Sequence, residues 1–192
     1  MVTDYIRGYV KEECSRSTLT QELYENHILV TASYGARLAR LLGADTQVVE
    51  LASYLHDLSL VHDFEQPYDH RMKGSIPVDE LLKQFKFSEE TIDQVKEAIL
   101  LNTKPLSGKK ASIEAICLSN ADAMSKLAKP FFWLYYGYNH KKRSYKEGIA
   151  VYLKWMEDNW KTMIDPAKEM MTENYEFLKY LKKSNPSVLE SF

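Results

Sequence analysis

TLTQELYENHILVTASYGARLARLL, residues 18–42, decides the fold class. Leu23, His27, Val30, Thr31, Tyr34, Leu38 and Leu41 recur at spacings of three and four, the period of one helix face. Thr18 or Thr20 stands where an N-cap belongs, and Gly43 follows as a stop signal. The next stretch repeats the pattern. Asp45 or Thr46 caps a helix over about 46–58, with Val48, Val49, Leu51, Ala52 and Leu55 as its apolar side.

Further out, residues 59–69 hold Ser59, Asp63, Pro67 and Asp69 with no sustained period and read as a loop. A helix over about 70–85 contains Pro77, which threatens to split it. Ser88, Glu90 and Thr91 open a helix over 89–101, Pro105 to Gly108 is a turn, and residues 110–129 form an apolar helix ending before Pro130. Two more helices fall at about 144–162 and 166–183, with Pro166 suited to a first turn. No β-alternation of useful length, repeat or low-complexity linker interrupts this. The expected fold is all-α: one domain over 1–192, a compact helical bundle with a core at 18–129 and additional C-terminal helices at 130–192 packed on it.

Composition narrows the function. A chain of 192 residues with 45% apolar and 27% charged residues can bury a core without disulfides or metals. Net charge is −2, so nucleic acid is not the expected partner. The charge is uneven: residues 1–100 carry ten Lys/Arg against seventeen Asp/Glu, and residues 101–192 carry fifteen against ten. That asymmetry suits either a pocket for an anion or two solvated faces. Cys14 and Cys117 form no CxxC and suggest no disulfide framework; with no signal-peptide pattern, the expected location is the cytoplasm. No segment is apolar enough to span a membrane, so no membrane partner is expected.

Of five histidines, the informative ones are His27 and the dipeptide His56-Asp57, which closes the run LASYLHD; Asp122 joins them from AICLSNADAMSKLA. Each sits in an apolar helical setting. A buried carboxylate needs an ion pair, a shifted pKa or a metal. Two imidazoles and two carboxylates suit one borderline divalent ion, Mn, Fe, Ni, Co or Zn. Four protein ligands leave an octahedral ion two open positions, for water and a substrate oxygen. The metal would activate that water and polarise a phosphoryl group.

The ordered set H…HD…D resembles the HD-domain superfamily of metal-dependent phosphohydrolases. The matching stretches are ENHILVTASYGARLARLLGAD, VVELASYLHDLS, DHRMKGSIPVDELL, VKEAILLN and LSNADAMSKL, together about residues 22–128. The resemblance implies an HD-domain-like bundle and metal ligands His27, His56, Asp57 and Asp122. It implies that Asp57 also orients the attacking water, and that His70 or Lys73 steadies the phosphoryl charge. Members with two further histidines can hold two metals. His70 matches the first; the second position is Asn102, a poor transition-metal ligand, so one metal is expected. A second dipeptide, His62-Asp63, lies in the expected loop and is set aside in favour of His56-Asp57.

The resemblance thus implies a hydrolase acting on a small phosphorylated substrate, with nucleotides among the candidates. A catalytically silent nucleotide-binding regulatory module is the rival from another class. A di-iron oxygenase of the same superfamily needs ligands that Asn102 does not supply. The branch that hydrolyses guanosine tetraphosphate usually has an acidic pair soon after the HD, where this chain reads LSLVHDFEQ. Bland readings stand beside these: His27 as a core histidine, Asp122 paired with Lys126, His70 as a helix start. Lys104 lies near the site if the resemblance holds. His140 in HKKR is either a solvated loop or a phosphate flap. Aromatic residues 131–138 read as packing or as a base platform, and Tyr152, Trp155 and Trp160 as packing or a homodimer contact.

Overall fold

The computed structural model describes residues 2–62, 78–102 and 111–184, and every regular element among them is helical. The chain forms two compact units, Met1–Asp122 and Ala123–Phe192.

The first unit opens with α1 (Val2–Cys14). Ile6, Val10 and Cys14, four residues apart, are fully buried on one stripe of it. α2 (Thr18–Leu23) is capped by Ser17, not by the expected Thr18 or Thr20. Thr20 serves as the reciprocal partner: Ser17 Oγ accepts from the Thr20 amide, and Thr20 Oγ1 accepts from the Ser17 amide. The Thr20 hydroxyl also donates to the Cys14 carbonyl at 2.7 Å, fastening α2 to the end of α1.

The expected single helix over 18–42 is not uniform. Tyr24–Ile28 is a π-turn between α2 and α3 (Leu29–Leu42), its register shown by the Leu29 amide donating to the Tyr24 carbonyl. One extra residue in a turn moves every later side chain round the helix by about 100°. Simple periodicity therefore cannot hold across residues 18–42, and the turn that carries His27 is where it slips. α3 stops at Gly43, in the left-handed conformation at φ 73°, as expected.

Asp45 caps α4 (Thr46–Leu55), its carboxylate accepting from the amides of Gln47 and Val48. Residues 58–62, read from sequence as the end of a helix and the start of a loop, instead form a short helix α5 (Leu58–His62). Leu58, Leu60 and Val61 are buried there, so an apolar cluster overrides the weak local signal. Helix α6 covers residues 78–84; residues 63–77, with the rest of the expected loop and Pro77, lie outside the described residues. α7 (Glu89–Leu101) starts from a Ser88 cap as expected. α8 (Ile113–Ala128) begins a few residues later than expected.

Gly35 explains how α3, α4 and α8 come together. A Cβ there would meet Ser53 Oγ at 2.9 Å, Val49 Cγ1 at 3.0 Å and Ala121 Cβ at 3.6 Å. The Ser53 hydroxyl cannot simply swing away, because it donates to the Val49 carbonyl at 2.7 Å. Glycine thus lets α3 lie this close to Ser53 and Val49 of α4, with Ala121 of α8 at ordinary contact distance.

The second unit contains α9 (Pro130–Tyr135), a π-turn at Tyr136–His140, α10 (Tyr145–Thr162), α11 (Asp165–Met170) and α12 (Thr172–Ser184). The single helix expected over 166–183 is broken at Met171, whose backbone leaves helical geometry at φ −109° and whose side chain is fully buried. No Gly or Pro marks that bend in the sequence. The aromatic residues pack on one another. Trp133 meets Trp155 edge-on, Trp160 lies flat on Tyr175 at 3.9 Å, and Tyr138 covers Gly148 so closely that its ring leaves no room for a Cβ there. Tyr152 is buried and donates to the Lys126 carbonyl. Tyr152, Trp155 and Trp160 thus each make packing contacts within this unit. In HKKR, His140 stacks on Tyr136 and the Lys141 ammonium lies over the same ring.

Replacing Gly35 by Leu must overpack this crossing. We expect a loss of about 1–3 kcal/mol or more, read as a lower urea midpoint at unchanged m-value. An unchanged midpoint would show that the crossing has slack.

Candidate metal centre

A π-turn, a helix end and the interior of α8 bring the polar cluster together in the first unit. His27 comes from the π-turn before α3, and His56 and Asp57 leave the C-terminal end of α4. Asp122 follows Ala121, the residue of α8 that approaches Gly35. All four are buried, His27 to 1% exposure and His56 to 2%.

His27 Nε2 lies 3.1 Å from His56 Nε2, 3.0 Å from Asp57 Oδ2 and 3.4 Å from Asp122 Oδ1. His56 Nε2 lies 3.4 Å from Asp57 Oδ2 and 3.9 Å from Asp122 Oδ1. Neighbouring ligands of an ion bound at about 2.1 Å sit about 3.0 Å apart in an octahedron and about 3.4 Å in a tetrahedron. Most of these separations are therefore those of ligands around one ion.

The protons support the same conclusion. His56 Nδ1 lies 2.8 Å from the Ser53 carbonyl, which can only accept, so Nδ1 carries the hydrogen. The last carbonyls of α4 lack a following turn of amides, which makes one available to a side chain. Burial, the largest influence, holds the His56 pKa below its ordinary value despite the carboxylates of Asp57 and Asp122. His56 is therefore neutral near pH 7, with the lone pair of Nε2 turned into the cluster. His27 Nε2 then faces three acceptors: that lone pair and two carboxylate oxygens. A proton there serves one acceptor at a time, whereas a divalent cation draws on all of them. His27, His56 and Asp57 are positioned to hold a metal ion, and two imidazoles with a carboxylate fit a borderline divalent ion. Asp122 offers Oδ1 to the same centre.

Asn102, at the end of α7, donates from Nδ2 to Asp122 Oδ2 at 3.3 Å. Sequence reading placed Asn102 near the site but not on Asp122. It also missed the Ser53 carbonyl, since a backbone acceptor has no residue-type signature; the only clue is a histidine three residues on, at a helix end. His70, Lys73 and Lys104 lie outside the described residues. His62 closes the short helix α5 rather than standing in a loop, and Asp63 lies outside the described residues.

Residues 24–127, more than half of the chain, match the HD domain family. The chain belongs to the HD-domain family. Bacillus subtilis YpgQ, solved in complex with ADP, shares 22% identity and a TM-score of 0.66 over 97% of this chain and 99% of that one. Another YpgQ structure gives 20% identity and 0.70 over 97% of both chains. A predicted HD superfamily hydrolase from an uncultured Thermotogales bacterium gives 17% and 0.57 over 88% of this chain and 91% of that one. At these identities the likeness is one of fold. No curated protein matches the chain. Among the described residues, no helix is long and apolar enough to cross a membrane.

The histidine makes a pH prediction for metal-free protein. The unfolded chain takes up a proton near pH 6.5 that folded His56 resists. Its contribution to stability is therefore present above that pH and lost as pH falls through about 6.5 and below. His56→Asn should flatten the slope of urea midpoint against pH between about 5 and 7. An unaltered slope would contradict a buried neutral His56.

Proposed function

We propose that this HD-domain protein is a metal-dependent phosphohydrolase acting on a small phosphate ester, with nucleotides the first class to test. The observation that carries the reading is the convergence of His56 Nε2, Asp57 Oδ2 and Asp122 Oδ1 on His27 Nε2, in a chain of this family. The complex of the fold neighbour YpgQ with ADP supports the nucleotide class.

In this reading one divalent ion is held by His27, His56, Asp57 and Asp122, and supplies a lowered water pKa and polarisation of a phosphoryl oxygen. The protein's own part is preorganisation. The Ser53 carbonyl fixes the tautomer and ring angle of His56. Asp57 directs Oδ2 at the imidazoles, and its carboxylate is assigned to orient the attacking water. His70 and Lys73 are assigned to the phosphoryl charge on the resemblance of HRMKGS. Burial keeps bulk water from competing for these groups, which strengthens every charge interaction among them.

The test is elemental analysis of protein purified without chelator or metal-affinity resin, beside His56→Ala/Asp57→Ala, followed by a phosphate-ester screen with the metal found. About one equivalent of Mn, Fe, Ni, Co or Zn is expected in the wild type and none in the variant, whose phosphate release falls to background. Two equivalents of iron would favour an oxygenase. Metal binding without turnover of any nucleotide would favour a binding module. No metal in either protein, even after incubation with each ion, would overturn the mechanism.

A further inference from the structure

We infer that Asn102 is a positioning residue that presents Asp122 to the metal through one oxygen, Oδ1. The inference rests on the metal reading above and extends it to a residue that no ligand pattern assigns.

The two oxygens of Asp122 face different partners. Oδ1 faces the imidazoles, 3.4 Å from His27 Nε2 and 3.9 Å from His56 Nε2. Oδ2 accepts from Asn102 Nδ2 at 3.3 Å. A carboxylate can only accept, so the amide must turn its NH2 side towards it, and the orientation of the Asn102 side chain follows from chemistry. The hydrogen bond engages the outer oxygen and sets the rotation of the carboxylate about its last bond, leaving Oδ1 as the oxygen aimed inward.

The donor comes from a fixed point. Asn102 is the C-cap of α7, and its own amide donates to the Ala98 carbonyl at 3.0 Å. Ala98 and Ile99, in the preceding turn, are buried, and α7 packs on α4, the helix that ends at His56. The amide and the histidine are thus held by two helices packed together, and Asp122 is gripped from α8. An asparagine also adds no charge and no imidazole, so it orients a ligand without becoming a strong one.

Metal binding tests this without reference to catalysis. Metal-free full-length protein is titrated with MnCl2, and free Mn²⁺ is followed by electron paramagnetic resonance. Wild type is expected to bind one equivalent. Asn102→Ala should keep that stoichiometry with a dissociation constant raised about 10–100-fold, the usual effect of removing a group that orients a ligand. A merely structural role for Asn102 would lower the urea midpoint and leave the dissociation constant unchanged, and wild-type affinity in Asn102→Ala would overturn the positioning role. A wild type that binds no Mn²⁺ would instead overturn the metal reading, and this inference with it.

Discussion

Three acceptor atoms within 3.4 Å of one buried imidazole nitrogen are the constraint on which the first unit depends. Buried polar groups are costly unless each is matched, and carboxylates more so than amides or hydroxyls. Such a cluster survives where the surrounding helices hold it rigidly and where something, a proton or a cation, answers its charge. The chain supplies the rigidity through unrelated devices. A π-turn sets the register of His27, a helix-end carbonyl fixes His56, and a helix-end amide engages Asp122.

Those devices stand on helices that pack closely beneath them. Gly35 brings α3 within contact of Val49 and Ser53 on α4 and of Ala121 on α8. Ser53 then links the packing to the chemistry: its side chain sits under Gly35 and donates within its own helix, while its carbonyl accepts from His56. Ala121 is followed directly by Asp122. The contact that closes the core and the contacts that orient His56 and Asp122 are therefore one to three residues apart on α4 and α8.

The all-α class was legible because 3.6-residue periodicity survives in the long elements. Gly43, Asp45 and Ser88 mark helix ends by local chemistry that no packing overrides. The four residues of the polar cluster were legible because histidine and aspartate in apolar helical runs contradict their surroundings. Other features lay in tertiary context. α1 went unassigned because Asp4, Arg7, Lys11, Glu12 and Glu13 dominate its composition, although Ile6, Val10 and Cys14 keep a four-residue stripe. α5 is held by the burial of Leu58, Leu60 and Val61, and the bend at Met171 accompanies a buried side chain with no breaker residue. Asn102 was judged by what an amide cannot ligate; that it hydrogen-bonds the outer oxygen of Asp122 depends on where α7 ends relative to α8.

The most direct test of the account is anomalous diffraction at the manganese edge from crystals soaked in MnCl2. The account predicts one peak in the first unit, about 2.0–2.3 Å from Nε2 of His27, Nε2 of His56, Oδ2 of Asp57 and Oδ1 of Asp122. A map with no peak among those four atoms, at manganese concentrations that occupy other sites on the molecule, would contradict it.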